Sequence, residues 1–289
     1  MKIVIIGSGG RLGQALVEAY REKFSVVGFS HSQIDLADFD EIEQFITPIE
    51  FDLMINCAAM TNVDMCEEQP EEALRVNAGA PDILAEICEK KNARLIHFST
   101  DYVFDGKKEE PYLEEDEAHP VSVYGESKLE GETAVLGMSD RHMVVRVSWV
   151  FGPHRASFID NVIQRARENE SVAAVADKFS APTYSRDIAE MLPRFFDPSE
   201  AGGILHFANA GRCSWQEYTQ HALDCCRQFG VPLKATQVQP LEMTDMKGWI
   251  AQRPINTVLA TEKYSNIAGA APRSWRDAVA EYIRDFVAR

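Results

Sequence analysis

The stretch KIVIIGSGGRLG, residues 2–13, joins an uninterrupted apolar run to glycines at positions 7, 10 and 13. Four β-branched residues in a row, without polar alternation, are typical of a strand buried on both faces of a parallel sheet. Glycines directly after such a strand allow a tight turn, let backbone amides approach a pyrophosphate, and let the next helix pack closely. A purely structural turn is the alternative, but the strand before the glycines and the helix after them favour dinucleotide binding. The residues predicted to form this cofactor loop are Gly7, Gly10, Arg11, Leu12 and Gly13.

Apolar runs alternate with helical patterns as far as about residue 152. Further buried strands are predicted at SVVGFS, FDLMINCAA, ARLIHFST and HMVVRVSWVFG. The helices predicted between them are Leu12–Lys23, a segment capped by Asp38, residues 71–91 with an adjustment at Pro81, and a segment from Tyr124. This alternation predicts an α/β fold with a doubly wound, Rossmann-type parallel sheet and right-handed crossovers. We therefore assign residues 1–152 to a dinucleotide-binding domain.

The regular alternation ends after residue 152. Helices are predicted at Phe158–Arg167, near Asp187–Phe196 and after GRCSWQEY, with the proline-containing segment FSAPTYS between the first two. We expect residues 153–289 to form a smaller C-terminal substrate-binding lobe over the carboxyl edge of the sheet. The segment GILHFAN, residues 203–209, is the candidate for a return to the sheet.

Composition narrows the possible classes of protein. The 289 residues include 29 basic and 45 acidic side chains, a net charge of −16, which disfavours nucleic-acid or anionic membrane surfaces as partners. The six cysteines show no CxxC spacing, and the seven histidines form no ligand pattern, so neither a metal nor a disulfide framework is assigned. No apolar run reaches the length of a membrane span or of a signal-peptide core. A cytoplasmic protein with reduced thiols is the expectation.

The end of the second predicted strand bears on the choice of cofactor. An acidic residue there would bind the adenine ribose 2′-hydroxyl, but the sequence reads GFSHSQ, without a carboxylate. Its absence removes the usual repulsion of a 2′-phosphate, and Arg11 is a candidate partner for that phosphate. The pattern favours NADP(H), with NAD(H) as the alternative. Asp35 and Leu36 are predicted to touch the adenine, unless Asp35 only caps a turn.

The segment VSVYGESKLEGE places Tyr124 and Lys128 four residues apart, on one face of a predicted helix. Reduction of a ketone needs a proton donor, and a neighbouring ammonium is expected to lower the pKa of a phenol from its usual value of about 10. Ser99 and Thr100 follow a buried strand at the ligand-binding edge, so a hydroxyl there is predicted to hold the carbonyl oxygen. An incidental, exposed helix pair is the competing interpretation.

Taken together, these motifs resemble those of the extended short-chain dehydrogenases/reductases, and within that superfamily the dTDP-4-dehydrorhamnose reductase family. The supporting segments occur in order and cover the first half well: GSGGRLG, INCAAMTNVD, VNA, STDYVFDG, PVSVYGESKLEGE and VRVSWVFG. FSAPTYS and QRPINTVL extend the similarity, less specifically, into the second half.

The resemblance implies roles for individual residues. Tyr124 would be the general acid, Lys128 its partner and a ligand of the nicotinamide ribose, and Thr100 the hydroxyl on the substrate carbonyl. Ala58 and Ala59 would line the nicotinamide side of the cleft.

On the substrate side, the resemblance places Asp101 and Tyr102 facing the sugar and Trp149 at the border of the substrate pocket. Core packing is the alternative for both aromatic residues. Two segments depart from the family pattern: Ser122 stands where relatives commonly carry Asn, and CAAMTNVDMCE carries larger residues than usual.

The implied activity is an NADPH-preferring reduction of a nucleotide-linked 4-keto sugar, dTDP-4-dehydro-L-rhamnose to dTDP-L-rhamnose. Two alternatives remain open from the sequence. One is a non-catalytic, cofactor-binding regulatory subunit similar to the β subunit of methionine adenosyltransferase. The other is a related sugar-nucleotide reductase or epimerase. The expected partner is the nucleotide sugar, and a homodimer is left open.

Overall fold

A six-stranded parallel sheet lies at the centre of the computed structural model, which describes residues 1–288. Six of the strands in these residues form this sheet, and the others pair in smaller groups. In chain order the strands are β1 (Lys2–Ile6), β2 (Ser25–Phe29), β3 (Leu53–Asn56), β4 (Arg94–Thr100), β5 (Met143–Val147), β6 (Val150–Phe151), β7 (Val172–Val175), β8 (Phe179–Ser180), β9 (Thr183–Tyr184), β10 (Gly203–Phe207), β11 (Cys213–Ser214) and β12 (Val238–Leu241). The central sheet has the order β2-β1-β3-β4-β5-β10, and every pairing in it is parallel. The predicted fold class is confirmed.

Helices cover both faces of the sheet. They are α1 (Arg11–Tyr20), α2 (Phe39–Ile46), α3 (Val63–Glu68), α4 (Pro70–Leu74), α5 (Ala80–Lys90), α6 (Val123–Met138), α7 (Phe158–Glu168), α8 (Ser185–Met191), α9 (Trp215–Gln228), α10 (Glu262–Ala268) and α11 (Trp275–Tyr282). On one face α1 and α8 bury Leu16 and Ile188 against the strands, and on the other α2 and α5 bury Ile42 and Leu84. These four helices thus cover the sheet with their apolar sides, as expected for amphipathic helices. Within residues 1–288, every helix is too short or too polar to traverse a bilayer.

The direction of winding reverses between β1 and β3. The chain moves from β1 outward to β2, then crosses back to β3 on the other side of β1. Parallel sheets bind ligands in the crevice that opens outside the carboxyl ends of strands at such a reversal. The loops after β1 and β3 are therefore the place to look for a ligand site.

The run HMVVRVSWVFG forms two strands rather than the single predicted strand. β5 belongs to the central sheet, whereas β6 pairs with β9 in the second half of the chain. The backbone of Trp149 has φ 41°, a left-handed conformation that an extended strand cannot contain. The chain therefore leaves the sheet at Ser148 and Trp149 and enters the lobe.

The C-terminal half has its own apolar core. Aromatic and aliphatic side chains of α7, α9 and α11 pack together there, with Tyr218 and Trp275 among the largest buried residues. β7 and β12 form a separate parallel pair beside this core. Other elements of this half belong to the central sheet: β10 joins its edge beside β5, and α8 and α10 bury Ile188 and Tyr264 in the core on one of its faces.

Two backbone contacts fix α6 against the first half of the chain. A Cβ atom on Gly125 would lie 2.2 Å from the carbonyl oxygen of Tyr102, and one on Gly131 would lie 2.2 Å from that of Asn77. Pro81 has no amide hydrogen, so it cannot bond the Asn77 carbonyl in the α-helical pattern. The predicted helical adjustment falls in the preceding turn, where Arg75–Gly79 is a π-helix between α4 and α5. The two glycines let α6 approach this turn and the Asp101–Val103 turn closely.

Replacing Gly131 with Ala should lower the free energy of unfolding by about 1–3 kcal/mol, because the added methyl group overlaps a backbone oxygen that cannot move alone. Gly137 in the same helix is the matched control, since a Cβ there meets nothing within 4 Å. Gly137→Ala should raise the free energy by up to about 1 kcal/mol through helix propensity. Urea unfolding of both variants measures the difference, and equal midpoints would contradict the close approach.

Candidate active site

A cleft of about 1220 Å³ opens at the carboxyl edge of the sheet. Its walls are the loops after β1, β2, β3 and β4, the start of α6 and the segment after β5. Nearly all the residues singled out from the sequence line it: Gly7, Gly10, Arg11, Leu12, Asp35, Leu36, Ala58, Ala59, Thr100, Asp101, Tyr102, Tyr124, Lys128 and Trp149. Sequence reasoning thus selected side chains that the fold brings together from six separate segments.

The glycine loop forms a cradle at one end of the cleft. Gly7 has φ 84°, and a Cβ on it would lie 2.7 Å from the amide nitrogen of Ala58. Gly10 caps α1 without any side-chain hydrogen bond, and the first turn of α1 carries no acidic residue. The amide hydrogens and the partial positive charge of this helix end therefore face the cleft, and no acidic side chain neutralises them. Such a site suits the negative charge of a pyrophosphate.

Gly13 does not line the cleft. A Cβ at this position would lie 2.1 Å from the carbonyl oxygen of Gly7, so the residue permits α1 to pack against the loop. This is the close packing of the next helix expected from glycine in this motif, and a direct contact of Gly13 with the cofactor stays a prediction.

Arg11 is engaged differently from the sequence prediction. Its guanidinium donates to the carbonyl oxygens of Val150, Arg155 and Ala156, at 3.1, 3.2 and 2.7 Å. These carbonyls belong to the segment that leads into the lobe. The predicted partnership with a 2′-phosphate is not supported, because the Arg11 guanidinium already donates to these three backbone carbonyls.

The turn after β2 lines the cleft beside the glycine loop, where the amides of Gly7 and Ser8 donate to the Phe29 carbonyl. Ser30, His31 and Ser32 lie there, and the Ser30 and Ser32 hydroxyls are 2.8 Å apart. Asp35 also lines the cleft, but its Oδ1 accepts the amide hydrogen of Ala37 at 2.9 Å. Asp35 therefore caps a turn at the border of the cleft, and its contact with adenine stays a prediction.

Tyr124 lies at the centre of the cleft, in the first turn of α6. Ser122 caps that helix by accepting the amide hydrogen of Gly125 at 3.3 Å. Burial raises the pKa of the Tyr124 phenol, while a hydrogen bond with the Thr100 hydroxyl opposes the shift. The predicted proximity of Tyr124 and Thr100 is thus present, on side chains that border the same cavity.

Lys128 is directed toward the floor of the cleft. Its Nζ donates to the carbonyl oxygen of Phe98 at 2.7 Å and lies 3.2 Å from Nε2 of His97. Burial lowers the pKa of Lys128 to about 8. The expectation that Lys128 lowers the pKa of Tyr124 is not met in this arrangement, because burial determines the pKa of the phenol and the amine is bound elsewhere.

Asp101 is turned into the protein. Its Oδ2 accepts hydrogen bonds from the hydroxyls of Ser148, Ser180 and Thr257, and its Oδ1 accepts one from Thr100 at 3.2 Å. The side chain is 2% exposed. The predicted sugar contact stays a prediction; in the structure Asp101 links the end of β4 to Ser148 after β5 and to Ser180 and Thr257 in the lobe.

Two aromatic residues predicted on the substrate side border the cleft. Tyr102 packs edge-on against Tyr124 with ring centroids 5.6 Å apart, and Lys178 lies 4.9 Å from the Tyr102 ring centroid. Trp149 packs on Trp215 at 5.6 Å, and its indole nitrogen is buried without a hydrogen-bond partner. Trp149 therefore contacts the lobe core and also leaves a donor beside the cleft.

The sequence motifs INCAAMTNVD and QRPINTVL meet at the rim. Arg253 donates from both terminal nitrogens to the carboxylate of Asp64, each at 2.7 Å, and the guanidinium lies 4.3 Å from the Trp249 ring centroid. The Asp64 carboxylate also accepts the amide hydrogens of Ile250 and Ala251. Hydrogen bonding to Arg253 holds the pKa of Asp64 well below its usual range.

Three buried polar residues beneath the cleft were missed by sequence reasoning. Asn77 bonds both backbone groups of Met60 and the hydroxyl of Ser127, which ties the β3 loop to α6. Asn56 and His97 lie next to each other on β3 and β4 and are fully buried. The sequence signal that could have identified such residues is a polar residue inside an apolar strand, such as the histidine in LIHFST.

Across residues 1–288, no group of three or more His, Cys, Asp or Glu side chains is arranged to hold a metal ion.

Comparison with known proteins agrees with this geometry. A family model described as the RmlD substrate binding domain matches residues 1–288. The dTDP-4-dehydrorhamnose reductase of Mycolicibacterium smegmatis is 36% identical over 98% of this chain and 85% of its own length. That of Burkholderia thailandensis is 32% identical over the whole of both chains.

A solved structure shows the same likeness in three dimensions. The dTDP-4-dehydrorhamnose reductase of Bacillus anthracis, in complex with NADP, superposes with a TM-score of 0.90 at 28% identity, covering 98% of each chain. The resemblance inferred from the ordered motifs is confirmed. The match along residues 1–288 shows that this chain belongs to the RmlD substrate binding domain family.

Proposed function

We propose that this protein is an NAD(P)-dependent reductase of a nucleotide-linked 4-keto sugar, that it prefers NADPH, and that its substrate is dTDP-4-dehydro-L-rhamnose. The observation that carries the proposal is that Tyr124, Thr100 and Lys128 line the same cleft as the glycine cradle. The names of the similar reductases and the NADP held by one of them support the same chemistry.

A nicotinamide cofactor supplies the hydride for such a reduction when it is bound. The residues suited to hold it are those of the glycine cradle, where Gly7 adjoins Ala58, together with Ser30 and Ser32 in the neighbouring turn after β2. The turn Ser30–Gln33 has no carboxylate to repel a 2′-phosphate, and its serine hydroxyls can donate hydrogen bonds to such a phosphate. NADPH preference rests on this turn rather than on Arg11.

Tyr124 and Thr100 act on the carbonyl oxygen of the sugar, for which the Thr100 hydroxyl turns its one hydrogen away from Asp101 Oδ1, its acceptor at 3.2 Å in this structure. Hydrogen-bond donors aimed at this oxygen stabilise the negative charge that develops on it as the carbonyl is reduced. Burial raises the pKa of Tyr124, which keeps the phenol protonated at neutral pH until an oxyanion forms beside it. The Tyr124 hydroxyl then gives its proton to the oxyanion, and the product alcohol results.

Lys128 assists as a cation. An ammonium close to the phenol would stabilise the phenolate left after proton transfer, and it would also suit the hydroxyls of a ribose. Because burial lowers the pKa of Lys128 to about 8, the charged form is lost within an accessible pH range. The pH at which activity falls on the alkaline side should therefore reflect the pKa of Lys128.

Replacing Tyr124 with Phe should lower kcat by about 10²–10⁴-fold, the usual contribution of a general acid. NADPH affinity should remain nearly unchanged, since the ring is retained. The measurement is NADPH oxidation with dTDP-4-dehydro-L-rhamnose, together with NADPH binding by fluorescence. Tyr264→Phe is the control, because that phenol lies on α10 outside the cleft. Near-normal turnover of Tyr124→Phe would refute the role. A wild-type protein that binds NADPH but reduces no 4-keto sugar would favour a regulatory subunit.

The pH profile gives a second test. Turnover should fall as the pH rises through about 8, because Lys128 is protonated below its pKa and neutral above it. Lys128→Arg keeps the positive charge throughout this range and should remove the alkaline fall, although its maximal rate is lower. An unchanged alkaline limb in Lys128→Arg would show that another group titrates.

A further inference from the structure

A chain of four buried groups runs beneath the cleft from a backbone amide to the lysine. The Ala58 amide lies 3.1 Å from Asn56 Oδ1, Asn56 Nδ2 lies 3.1 Å from His97 Nδ1, and His97 Nε2 lies 3.2 Å from Lys128 Nζ. Asn56 and His97 are completely buried, and Lys128 is 1% exposed. Each group therefore depends on its neighbour for hydrogen bonding.

The direction of these hydrogen bonds is set at the Ala58 end. A backbone amide can only donate, so the side-chain oxygen of Asn56 must face Ala58 and its NH₂ group must face His97. His97 Nδ1 is then an acceptor and carries no hydrogen. Burial and the nearby Lys128 lower the pKa of His97 well below its usual value, so the ring is neutral and its one hydrogen is on Nε2.

An N–H group of His97 therefore points at Lys128 Nζ. An ammonium has three donors and no acceptor, whereas a neutral amine has a lone pair that accepts this hydrogen. The neutral amine can lie between His97 Nε2–H and the Phe98 carbonyl with both bonds satisfied. An ammonium at the same place would face another donor.

We propose that His97 is a positioning residue for Lys128: its Nε2–H, oriented through Asn56 and the Ala58 amide, holds the neutral amine at the floor of the cleft and turns the protonated lysine toward Tyr124. The inference rests on the proposed function, because the outward position is where the lysine serves the phenol. It adds a residue on β4 and one on β3 to the machinery around the cleft.

The other ionisable groups around Lys128 do not replace this contact. Glu132 on the same helix raises the pKa of Lys128, but its carboxylate is bound by both Nε and Nη2 of Arg146, at 2.9 and 2.6 Å. Cys57, after β3, has a pKa raised by burial to about 12, so its thiol is neutral. Tyr124 precedes the lysine by one turn of α6.

The first experiment is ¹⁵N NMR of the histidine-labelled, cofactor-free protein over the pH range in which it stays folded. The shifts of the two ring nitrogens show which one carries the hydrogen, and His97→Gln identifies the signals of His97. The expected result is hydrogen on Nε2 at every pH. A hydrogen on Nδ1, or a tautomer that changes as Lys128 titrates, overturns the proposal because the lysine would then donate to the ring.

The second experiment alters the orienting groups and follows the pH dependence of turnover. His97→Gln can turn its carbonyl to an ammonium, so the alkaline fall should move to higher pH by roughly half to one unit, the size expected for one net hydrogen bond. Asn56→Asp offers carboxylate oxygens to both Ala58 and His97, which places the ring hydrogen on Nδ1 and should shift the fall in the same direction. NMR of the labelled Asn56→Asp protein checks the tautomer directly, which separates this effect from that of the added charge.

His206→Gln is the matched control. His206 is also fully buried, but it lies on β10 with Nδ1 against the Ala260 carbonyl, away from the cleft. Its variant should lose stability without moving the pH profile, and an equal shift in His206→Gln and His97→Gln would overturn the proposal. The NMR result needs no substrate, so an inactive wild-type protein would refute the proposed function while the tautomer is still measured.

Discussion

Helix α6 carries both Tyr124 and Lys128, and it packs against the Asp101–Val103 turn and the Arg75–Gly79 π-helix through contacts with backbone atoms. At Gly125 and Gly131 there is no room for even one carbon atom between the helix and the carbonyl oxygens of Tyr102 and Asn77. Such contacts fix the height and rotation of a helix more tightly than flexible side chains can, because backbone oxygens cannot adopt other rotamers. The distance from the phenol to the Thr100 hydroxyl follows from them. The rest of the cleft is arranged around this helix.

Buried polar side chains orient the groups that line the cleft. Asn77 fixes the loop after β3, Asn56 and His97 lie under Lys128, and Asp101 lies under Thr100. Leaving a buried polar group without a partner costs about 1–3 kcal/mol, so such networks tolerate few arrangements and hold their members in one orientation. The residues that line the cleft are thereby held in place by hydrogen bonds from the protein interior as well as by apolar packing.

The fold and most of the site could be predicted because they depend on local patterns. The apolar run before Gly7 and the alternation of strands and helices specify the sheet, and a parallel sheet brings the ends of its strands to one edge. Side-chain direction was harder to predict, since it depends on partners distant in sequence. Arg11 is held by carbonyls about 140 residues away, and Asp101 by hydroxyls about 50–160 residues away. Neither partner set has a sequence signature, and the tautomer of His97 depends on an amide in another loop.

The position of Asp101 has a consequence for how such enzymes can be recombined. Its carboxyl group belongs to the end of β4, yet two of the hydroxyls that bond it come from Ser180 and Thr257, so the first and second halves of the chain share one buried polar group. β10 adds a second dependence by completing the sheet from the C-terminal half. A chimera that joins this N-terminal half to the C-terminal half of a relative lacking Ser180 and Thr257 would leave Asp101 with only the Thr100 and Ser148 hydroxyls. Exchange of C-terminal halves between family members is therefore restricted to pairs in which these two hydroxyls are inherited together with the aspartate.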